Sequence, residues 1–235
     1  MLSKLLGTAL TFKGKTVAIT GASGTLGRAL LQELVRQEAK PIALTTSPQA
    51  RFPDPINVLP WQLGQEGQLQ NTLRQVDILI INHGINVHGD RTPDAIERSL
   101  QVNALSALRL MDVFIAEIDP ETLNTKEIWL NTSEAEVGPA FSPLYELSKR
   151  LIGDITTLKR QESSCIIRKI ILGPFKSNLN PIGVMSAEWI AKMIIRLAKR
   201  DIRNIIVTIN PLTYVAFPIK ETTQSLYFRL FSRSS

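Results

Sequence analysis

Apolar positions divide the chain into two kinds of segment. Short, almost continuous apolar runs, such as residues 77–81, are typical of strands that are buried on both faces of a parallel sheet. Longer segments with an apolar residue every few positions, such as 26–37 with Leu26, Leu30 and Leu34, predict helices that bury one side. The two kinds of segment alternate along most of the sequence.

This alternation predicts an α/β fold. Strands are expected at 16–20, 41–46, 56–59, 77–81, 127–132, 165–172 and 204–208, and helices at 26–37, 68–75, 94–116, 144–159 and 187–199. Strands and helices in this order predict a Rossmann-type doubly wound parallel β-sheet with helices on both faces. Because no repeat or linker-like stretch interrupts the pattern, residues 1–235 are expected to form a single domain.

The C-terminal tail, residues 210–235, departs from this pattern. It combines large apolar side chains such as Tyr214, Phe217 and Phe228 with Lys220 and Arg229. A terminal helix docked on the domain is the first interpretation. A substrate lid, an oligomer contact and a membrane-surface segment are the alternatives.

Composition narrows the classes of function. The chain is 44% hydrophobic and 20% charged, as in globular proteins with a sizeable core. The net charge of +6 is spread out and only 6% of residues are aromatic, which argues against a nucleic-acid partner. No transmembrane stretch and no signal peptide are expected, so a cytoplasmic location is predicted, with a membrane-peripheral one as the alternative.

Cysteine and histidine content argues against a metal site. Cys165 is the single cysteine, so neither an internal disulfide nor a cysteine-rich metal centre is possible, and its apolar surroundings predict a core residue. The two histidines, His83 and His88, are five positions apart in a loop without an evident carboxylate partner. We therefore predict no bound metal.

A glycine-rich turn joins the first strand to the first helix. Gly21, Gly24 and Gly27 lie in it, together with Ser23, Thr25 and Leu26. In dinucleotide-binding folds such glycines allow a sharp turn, a close backbone approach to a pyrophosphate and tight packing of helix on sheet. The phosphates then lie at the positive N-terminus of the helix. This position in the fold predicts a dinucleotide site.

The end of the second strand bears on which dinucleotide is bound. NAD sites often have an acidic residue there that binds the adenosine ribose. Here the strand ends in Thr45, Thr46 and Ser47, and Arg51 follows, while Arg28 opens the first helix. Small hydroxyls with an arginine suit a 2′-phosphate, so NADP(H) is favoured and NAD(H) stays open. Exposed arginines without a ligand are the competing interpretation.

Tyr145 and Lys149 are four positions apart in a predicted helix, which places both side chains on one face. Ser133 follows directly after a predicted strand, and the ends of parallel strands are where ligands bind in open α/β sheets. A tyrosine and lysine at this spacing are common by chance. Their combination with the glycine turn and with Ser133 points to a catalytic centre.

Together these motifs resemble the short-chain dehydrogenase/reductase family. The resemblance covers about residues 14–209 and includes, in family order, the glycine turn at 20–27, Asn82-His83-Gly84, Val102-Asn103, Ser133, Tyr145 with Lys149, and Gly173-Pro174-Phe175. It implies an oxidoreductase that acts on a carbonyl or alcohol substrate with a nicotinamide cofactor. Family members also suggest a homodimer or homotetramer formed through the helices 94–116 and 144–159.

The resemblance implies a role for each catalytic residue. Tyr145 would be the general acid or base, and Lys149 would lower the tyrosine pKa and hold the nicotinamide ribose. Ser133 would hydrogen-bond the substrate oxygen, and Asn103 would support a water-linked proton path to Lys149. The cofactor-binding set is Gly21, Ser23, Gly24, Thr25, Leu26, Gly27, Thr46, Ser47, Arg51, Gln62, Leu63, Asn82, His83, Gly84, Tyr145, Lys149, Gly173, Pro174, Phe175 and Ser177.

Three departures from the family pattern concern the cofactor. The middle glycine of the turn falls one place earlier than in the common short branch, His83 replaces an alanine, and Gln62 stands where an aspartate often faces the adenine. None of the four catalytic positions is altered, so we predict an active enzyme, with NADPH-dependent reduction of a carbonyl as its reaction.

Two other functions are weighed against this one. A dinucleotide-binding sensor or scaffold would not need both Tyr145 and Lys149. An enzyme acting on a nucleotide sugar matches the glycine spacing, but the short region after Gly173 leaves little room for a substrate lobe. The sequence does not identify the substrate, and a lipid-like one would follow if the tail reaches a membrane.

Overall fold

A parallel sheet forms the centre of the molecule. The computed structural model describes residues 10–47, 49–119, 125–180 and 182–232. Within them the strands are β1 (Thr16–Thr20), β2 (Lys40–Thr45), β3 (Asn57–Pro60), β4 (Ile78–Ile81), β5 (Glu127–Asn131), β6 (Ile166–Leu172) and β7 (Asn204–Val207). All pair in parallel in the order β3-β2-β1-β4-β5-β6-β7. The order reverses between β1 and β4, which places a ligand crevice at their carboxyl ends.

Helices cover both faces of the sheet. They are α1 (Thr25–Arg36), α2 (Gln70–Arg74), α3 (Pro93–Leu100), α4 (Ser106–Ala116), α5 (Pro143–Glu162), α6 (Ala187–Ala198) and α7 (Thr213–Phe231). One buried cluster joins α1 and α6 to the sheet through residues such as Leu30 and Ile190. The other joins α4 and α5 to the opposite face through Leu110 and Ile152. The fold class predicted from the sequence is therefore confirmed.

Two predicted helices differ in detail from the structure. The segment predicted at 68–75 begins with a 3₁₀ turn, Glu66–Leu69, before α2. The segment predicted at 94–116 is continuous, but a π-helical turn at Gln101–Leu105 separates α3 from α4. Residues 93–116 are long and apolar enough by composition to cross a membrane. Half of the most apolar 18-residue stretch in this segment is buried inside the fold, and the core helix of a globular domain can have the same length and composition.

The tail contributes helix α7, which packs on α5. Its buried positions are Thr213, Phe217 and Glu221, each four residues after the last. Glu221 accepts hydrogen bonds from Lys169 Nζ at 2.7 Å and from Arg160 Nη1 at 2.8 Å, and both donors belong to the domain. A buried ionic contact therefore ties the tail to β6 and α5.

A second buried ion pair lies inside the sheet and predicts a large loss of stability on substitution. Arg168 Nε and Nη2 donate to the carboxylate of Glu127 at 2.8 and 2.9 Å, and both side chains are buried. In Arg168→Met the carboxylate would stay buried without its cation. We expect the free energy of unfolding, measured in urea, to fall by about 3–5 kcal/mol. The exposed Arg196→Met should change it by about 0.5 kcal/mol or less, and equal losses would contradict this account.

Candidate active site

In the glycine turn between β1 and α1, neighbouring backbone atoms occupy the space that side chains at Gly21 and Gly27 would need. Gly21 has a φ of +61°, and a Cβ there would lie 2.8 Å from His83 Cα. A Cβ on Gly27 would lie 2.3 Å from the carbonyl oxygen of Gly21. Helix α1 begins after Gly24 without a side-chain cap, so its first N–H groups are free to bind an anion. The turn therefore fits a pyrophosphate.

The end of β2 brings hydroxyls and an arginine to the same turn. Thr45 Oγ1 donates to Ser23 Oγ at 3.4 Å and accepts from the Ser47 amide at 3.0 Å. The Arg28 guanidinium donates to the carbonyl oxygens of Ser23 at 3.1 Å and Arg51 at 3.0 Å. The backbone carbonyls of two predicted cofactor residues, Ser23 and Arg51, therefore hold the Arg28 guanidinium beside the glycine turn.

The predicted catalytic residues converge at the carboxyl end of β5. Tyr145 and Lys149 lie on α5, and Lys149 Nζ is 5.8 Å from the centroid of the Tyr145 ring. Lys149 Nζ donates to the carbonyl oxygen of Asn131 at 3.0 Å, which fixes the ammonium below the ring. Ser133 caps the short 3₁₀ turn Glu134–Glu136 by accepting from the Ala135 amide at 3.2 Å. All three side chains line one cavity of about 520 Å³.

Burial shifts the pKa values of the tyrosine and the lysine. Desolvation lowers the pKa of Lys149 to about 8, and the negative charge of Glu136 opposes that shift. Desolvation also raises the pKa of Tyr145 above its usual value, and a hydrogen bond with Ser133 opposes this change. Without a ligand, Tyr145 is therefore protonated near neutral pH, and Lys149 is mostly charged.

Asn103 lies in the π-helical turn between α3 and α4. Its Oδ1 accepts from the Ile85 amide at 2.8 Å, and its Nδ2 donates to the Ile85 carbonyl oxygen and to Ser148 Oγ, both at 3.0 Å. π-Helical turns are frequent at functional sites. A Cβ on Gly84 would lie 3.1 Å from Asn103 Oδ1 and 3.8 Å from Lys149 Nζ, so both groups approach Gly84. The water-linked proton path stays a prediction.

His83 is a neutral packing residue beside the glycine turn. Its Nδ1 is 2.8 Å from Thr20 Oγ1, and its ring meets Trp61 edge-on. Desolvation and the charge of Lys149 lower the pKa of His83 to about 4. Among the described residues, no hydrogen-bond partner reaches its buried Nε2. The preceding Asn82 donates to the Gly21 carbonyl oxygen at 3.3 Å and accepts from Asn131 Nδ2 at 2.5 Å.

The predicted cofactor residues fall into two sets. One set lines the catalytic cavity and consists of Leu26, Asn82, His83, Gly84, Tyr145, Lys149, Gly173, Pro174, Phe175 and Ser177. The other set follows the glycine turn and the ends of β2 and β3 and consists of Gly21, Ser23, Gly24, Thr25, Gly27, Thr46, Ser47, Arg51, Gln62 and Leu63. The two sets together extend from the adenosine end predicted for the cofactor to Tyr145.

Several polar residues that line the cavity are not among the predicted site residues, Glu134, Asn86 and Ser142 among them. Glu134 follows Ser133, and its Oε2 accepts from Thr208 Oγ1 at 2.7 Å and from Thr213 Oγ1 at 3.3 Å. Asn86 Oδ1 accepts from Ser142 Oγ at 2.6 Å, which joins two loops across the cavity. A carboxylate directly after the predicted catalytic serine could have indicated Glu134. Nothing local in the sequence indicates the Asn86–Ser142 pair, since 56 positions separate them.

Solved structures with the same architecture identify the fold. A short-chain dehydrogenase from Burkholderia cenocepacia, solved with NADP, superposes with a TM-score of 0.78 at 17% identity, over 95% of this chain and 100% of that one. The chain therefore has the fold of that short-chain dehydrogenase. A short-chain dehydrogenase from Sphingobium yanoikuyae, solved with NADPH, gives a TM-score of 0.73 at 16% identity over 94% of this chain and 98% of that one. The family resemblance seen in the sequence is confirmed at the level of the fold.

Among curated sequences the chain is similar to two proteins, while no family model matches it. Monoglucosyldiacylglycerol epimerase from Synechocystis sp. is 57% identical over 242 residues, which cover 100% of this chain. The chain spans 59% of the length of that relative. Ketoacyl reductase HetN from Nostoc sp. is 22% identical over 86% of this chain and 82% of its own length.

Proposed function

We propose that this chain transfers a hydride between NADP(H) and a carbonyl or alcohol carbon, with Tyr145 exchanging the proton on the oxygen. The convergence of Ser133, Tyr145 and Lys149 in one cavity, beside a glycine turn shaped for a pyrophosphate, carries this proposal. A sensor or scaffold would bind the dinucleotide without needing this centre, so turnover separates the two functions.

The substrate we propose is the sugar headgroup of a glycosylated lipid, and the reaction is an epimerisation. The 57% identity to a monoglucosyldiacylglycerol epimerase over the full chain supports this choice over a nucleotide sugar. The cavity also suits an amphiphile, because polar Glu134, Asn86 and Ser133 lie inside it and apolar Phe141 and Ile182 lie at its opening. Net reduction of a carbonyl, as predicted from the sequence, is the second candidate, and the relative named as a ketoacyl reductase favours it.

The nicotinamide cofactor fits the residues that the fold places around its expected path. The glycine turn leads into the N-terminus of α1, which has no side-chain cap and would bind the phosphates, and Arg28 and Ser47 lie near the expected 2′-phosphate. When bound, the cofactor supplies a carbon that accepts a hydride and can return it. NADP(H) is favoured, in line with the two solved neighbours that hold NADP or NADPH, and NAD(H) stays open.

The chain's own residues handle the oxygen and its proton. In the oxidising half, Tyr145 in its phenolate form would accept the proton of the sugar hydroxyl as the carbon loses its hydride, and a keto sugar would form. Lys149, with its ammonium 5.8 Å from the Tyr145 ring, stabilises the phenolate by charge. Ser133 donates a hydrogen bond to the carbonyl oxygen. When the keto sugar rotates in the cavity so that its other face is presented, Tyr145 returns the proton to the oxygen as the hydride reaches the opposite face of the carbonyl carbon.

Assembly and location belong to the same proposal. Leu147 and Leu151 on α5 and Ile96 on α3 are exposed apolar residues on the helices predicted for subunit contact, which supports a homodimer or homotetramer. We propose that the protein is cytoplasmic and contacts a membrane peripherally, because a lipid substrate resides in the membrane. Its partners would be the small-molecule substrate and the cofactor, with no nucleic acid.

Product analysis tests this function. The chain is incubated with monoglucosyldiacylglycerol in detergent micelles, the lipid is hydrolysed, and the hexose is identified by chromatography. We expect a second hexose, formed with catalytic NADP⁺ and without net reduction of the cofactor. Stoichiometric consumption of NADPH on a carbonyl panel, without epimer, would instead favour the simple reductase. Dinucleotide binding without either reaction would leave the sensor or scaffold.

Arg28 gives a prediction about cofactor choice. Its guanidinium lies beside Ser23 and the end of β2, so in Arg28→Ala a 2′-phosphate would lose its fixed cation. We expect the Kd for NADPH, from fluorescence titration, to rise by about tenfold, since one charge-assisted hydrogen bond contributes about 1.5–3 kcal/mol. The Kd for NADH should stay nearly unchanged. Equal weakening of both cofactors would assign Arg28 a structural role, and the matched Arg36→Ala on the same helix controls for charge.

A further inference from the structure

Four large apolar side chains stand in solvent at the opening of the catalytic cavity and form what we call the rim. Phe141 is 96% exposed, Ile182 90%, Val184 69% and Leu179 40%. Phe141, Leu179 and Ile182 line the catalytic cavity, and Val184 lines the cavity next to it. Single exposed apolar residues are ordinary, but a cluster around a functional opening marks a contact surface.

The backbone fixes Phe141 in its exposed position. It has a φ of +54°, which is unusual for a bulky residue. Its neighbours are held on both sides, because the Ala140 amide donates to Glu146 Oε2 at 3.1 Å and Ser142 Oγ donates to Asn86 and to the His88 carbonyl oxygen. The structure therefore maintains an unfavourable backbone conformation that presents an aromatic ring to solvent.

The segment that carries the other three side chains is also pre-formed. Ser177 and Asn180 exchange two backbone hydrogen bonds, at 3.0 and 3.1 Å, and the Lys176 amide donates to the Met185 carbonyl oxygen at 3.0 Å. Gly183 packs so closely that a Cβ there would lie 1.9 Å from the Phe175 carbonyl carbon. These contacts fix the segment that we call the arm, residues 176–180 and 182–185, on which Leu179, Ile182 and Val184 are exposed.

We propose that the rim inserts into the surface of a lipid bilayer, so that the catalytic cavity opens directly onto membrane lipids. This inference rests on the proposed function. A sugar that reaches Ser133 and Tyr145 leaves its acyl chains at the opening, where the rim residues lie. Chains that stay in the bilayer avoid the cost of entering water, which grows with every methylene. Only a cavity that opens at the bilayer satisfies both conditions.

The surroundings of the rim suit this occupant. Lys176 is exposed in the arm, and the protein carries a net charge of +6, which attracts anionic lipid. Trp189 follows the arm in the first turn of α6 and is exposed, and tryptophan is enriched where protein meets the lipid headgroups. Lys176 lines the second cavity together with Val184, so cationic and aliphatic groups occur together at this edge of the molecule.

A second apolar surface offers a control within the same chain. Helix α7 buries Thr213, Phe217 and Glu221, and its opposite face exposes Leu212, Val215, Ile219, Leu226 and Leu230. We call these five residues the outer stripe of α7. They are three, four or seven positions apart, which places them on one face of the helix. Equal numbers of apolar residues can therefore be replaced on each surface.

Vesicle flotation of the full chain tests the proposal. The vesicles are phosphatidylcholine with or without phosphatidylglycerol, and the variants are Phe141→Ser with Ile182→Ser and, as control, Leu226→Ser with Leu230→Ser. We expect wild-type binding to increase with phosphatidylglycerol. The rim variant should lose about tenfold or more of its vesicle affinity, because two large apolar side chains no longer leave water, while the control keeps it. Circular dichroism reports that each variant is folded.

Other outcomes would overturn the proposal. Loss of binding in the outer-stripe variant alone would assign membrane contact to α7. Wild-type binding that disappears when NADPH is added would make the rim a cover for the cofactor. A rim variant that changes only the mass in analytical ultracentrifugation would make the rim a contact between copies. If wild type converts glycolipid in micelles but binds no vesicles, membrane insertion of the rim is contradicted and the proposed function stands. If wild type binds vesicles through the rim but converts no glycolipid, the proposed function is contradicted and the membrane contact stands.

Discussion

Replacing Tyr145 by Phe is expected to lower kcat for the proposed glycolipid epimerisation by about 10³-fold, within the range that a positioned general acid or base contributes. The substitution removes the oxygen that exchanges the proton and keeps the ring that lines the cavity. The Kd for NADPH should therefore change little. Product formation in micelles and fluorescence titration of NADPH measure the two quantities on the same preparation.

An exposed tyrosine provides the matched control for this prediction. Tyr227→Phe makes the same chemical change at an exposed position of α7 that does not line the catalytic cavity. It should retain wild-type kcat. A Tyr145→Phe variant that turns over within about threefold of wild type would remove Tyr145 from the chemistry, whatever its effect on cofactor binding.

Replacing Lys149 by Met is expected to lower kcat/KM by about 10²-fold and to change its pH dependence. Burial lowers the pKa of Lys149 to about 8, so the wild-type ammonium loses its proton as the pH rises through that value. The stabilisation of the Tyr145 phenolate by this charge is present below about pH 8 and lost above it. In the direction of carbonyl reduction, wild-type kcat/KM should fall there, and the variant should lack that step.

The control for Lys149 lies on the same helix. Lys159→Met removes an ammonium that pairs with Asp112 at 2.7 Å on the surface of α5. It should leave both the rate and the pH profile unchanged. A Lys149→Met variant that keeps the descending step near pH 8 would show that another group titrates there, and the assignment of Lys149 would be wrong.

The sequence was sufficient for the features that depend on local pattern. The apolar run at β4 and the spacing of Leu26, Leu30 and Leu34 predicted elements that the structure confirms, because burial on a sheet requires those periodicities. The glycine turn and the Tyr145–Lys149 spacing were also visible. In both motifs the functional residues are close neighbours in the chain, so no distant residue is needed to bring them together.

The sequence was insufficient where distant residues meet. The strand 165–172 was predicted to begin in apolar surroundings at Cys165, and in the structure it also buries Arg168 and Lys169. Their charges are tolerated because Glu127 and Glu221 approach from β5 and α7, 41 and 52 positions away. Arg28 gave no local sign that it would bind the Ser23 carbonyl, and nothing in the sequence indicated the strained backbone of Phe141.

The polar interior of the cavity shows the same limit. Glu134 is fixed by Thr208 and Thr213, which enter from the end of β7 and the start of α7, 74 and 79 positions later in the chain. The order of strands in the sheet brings these residues together, and the periodicity within either segment does not predict that contact. Substrate choice depends on such contacts, which is why the sequence predicted hydride transfer but not its substrate.

An isotope experiment tests hydride transfer at this centre most directly. Monoglucosyldiacylglycerol with deuterium on its sugar ring carbons is incubated in ordinary water with catalytic NADP⁺, and the product hexose is analysed by mass spectrometry. A hydride that leaves and returns does not exchange with water, so we predict an epimer that retains all ring deuterium in wild type and no epimer with Tyr145→Phe. Loss of one deuterium to water, or equal epimer from Tyr145→Phe, would contradict hydride transfer through Tyr145.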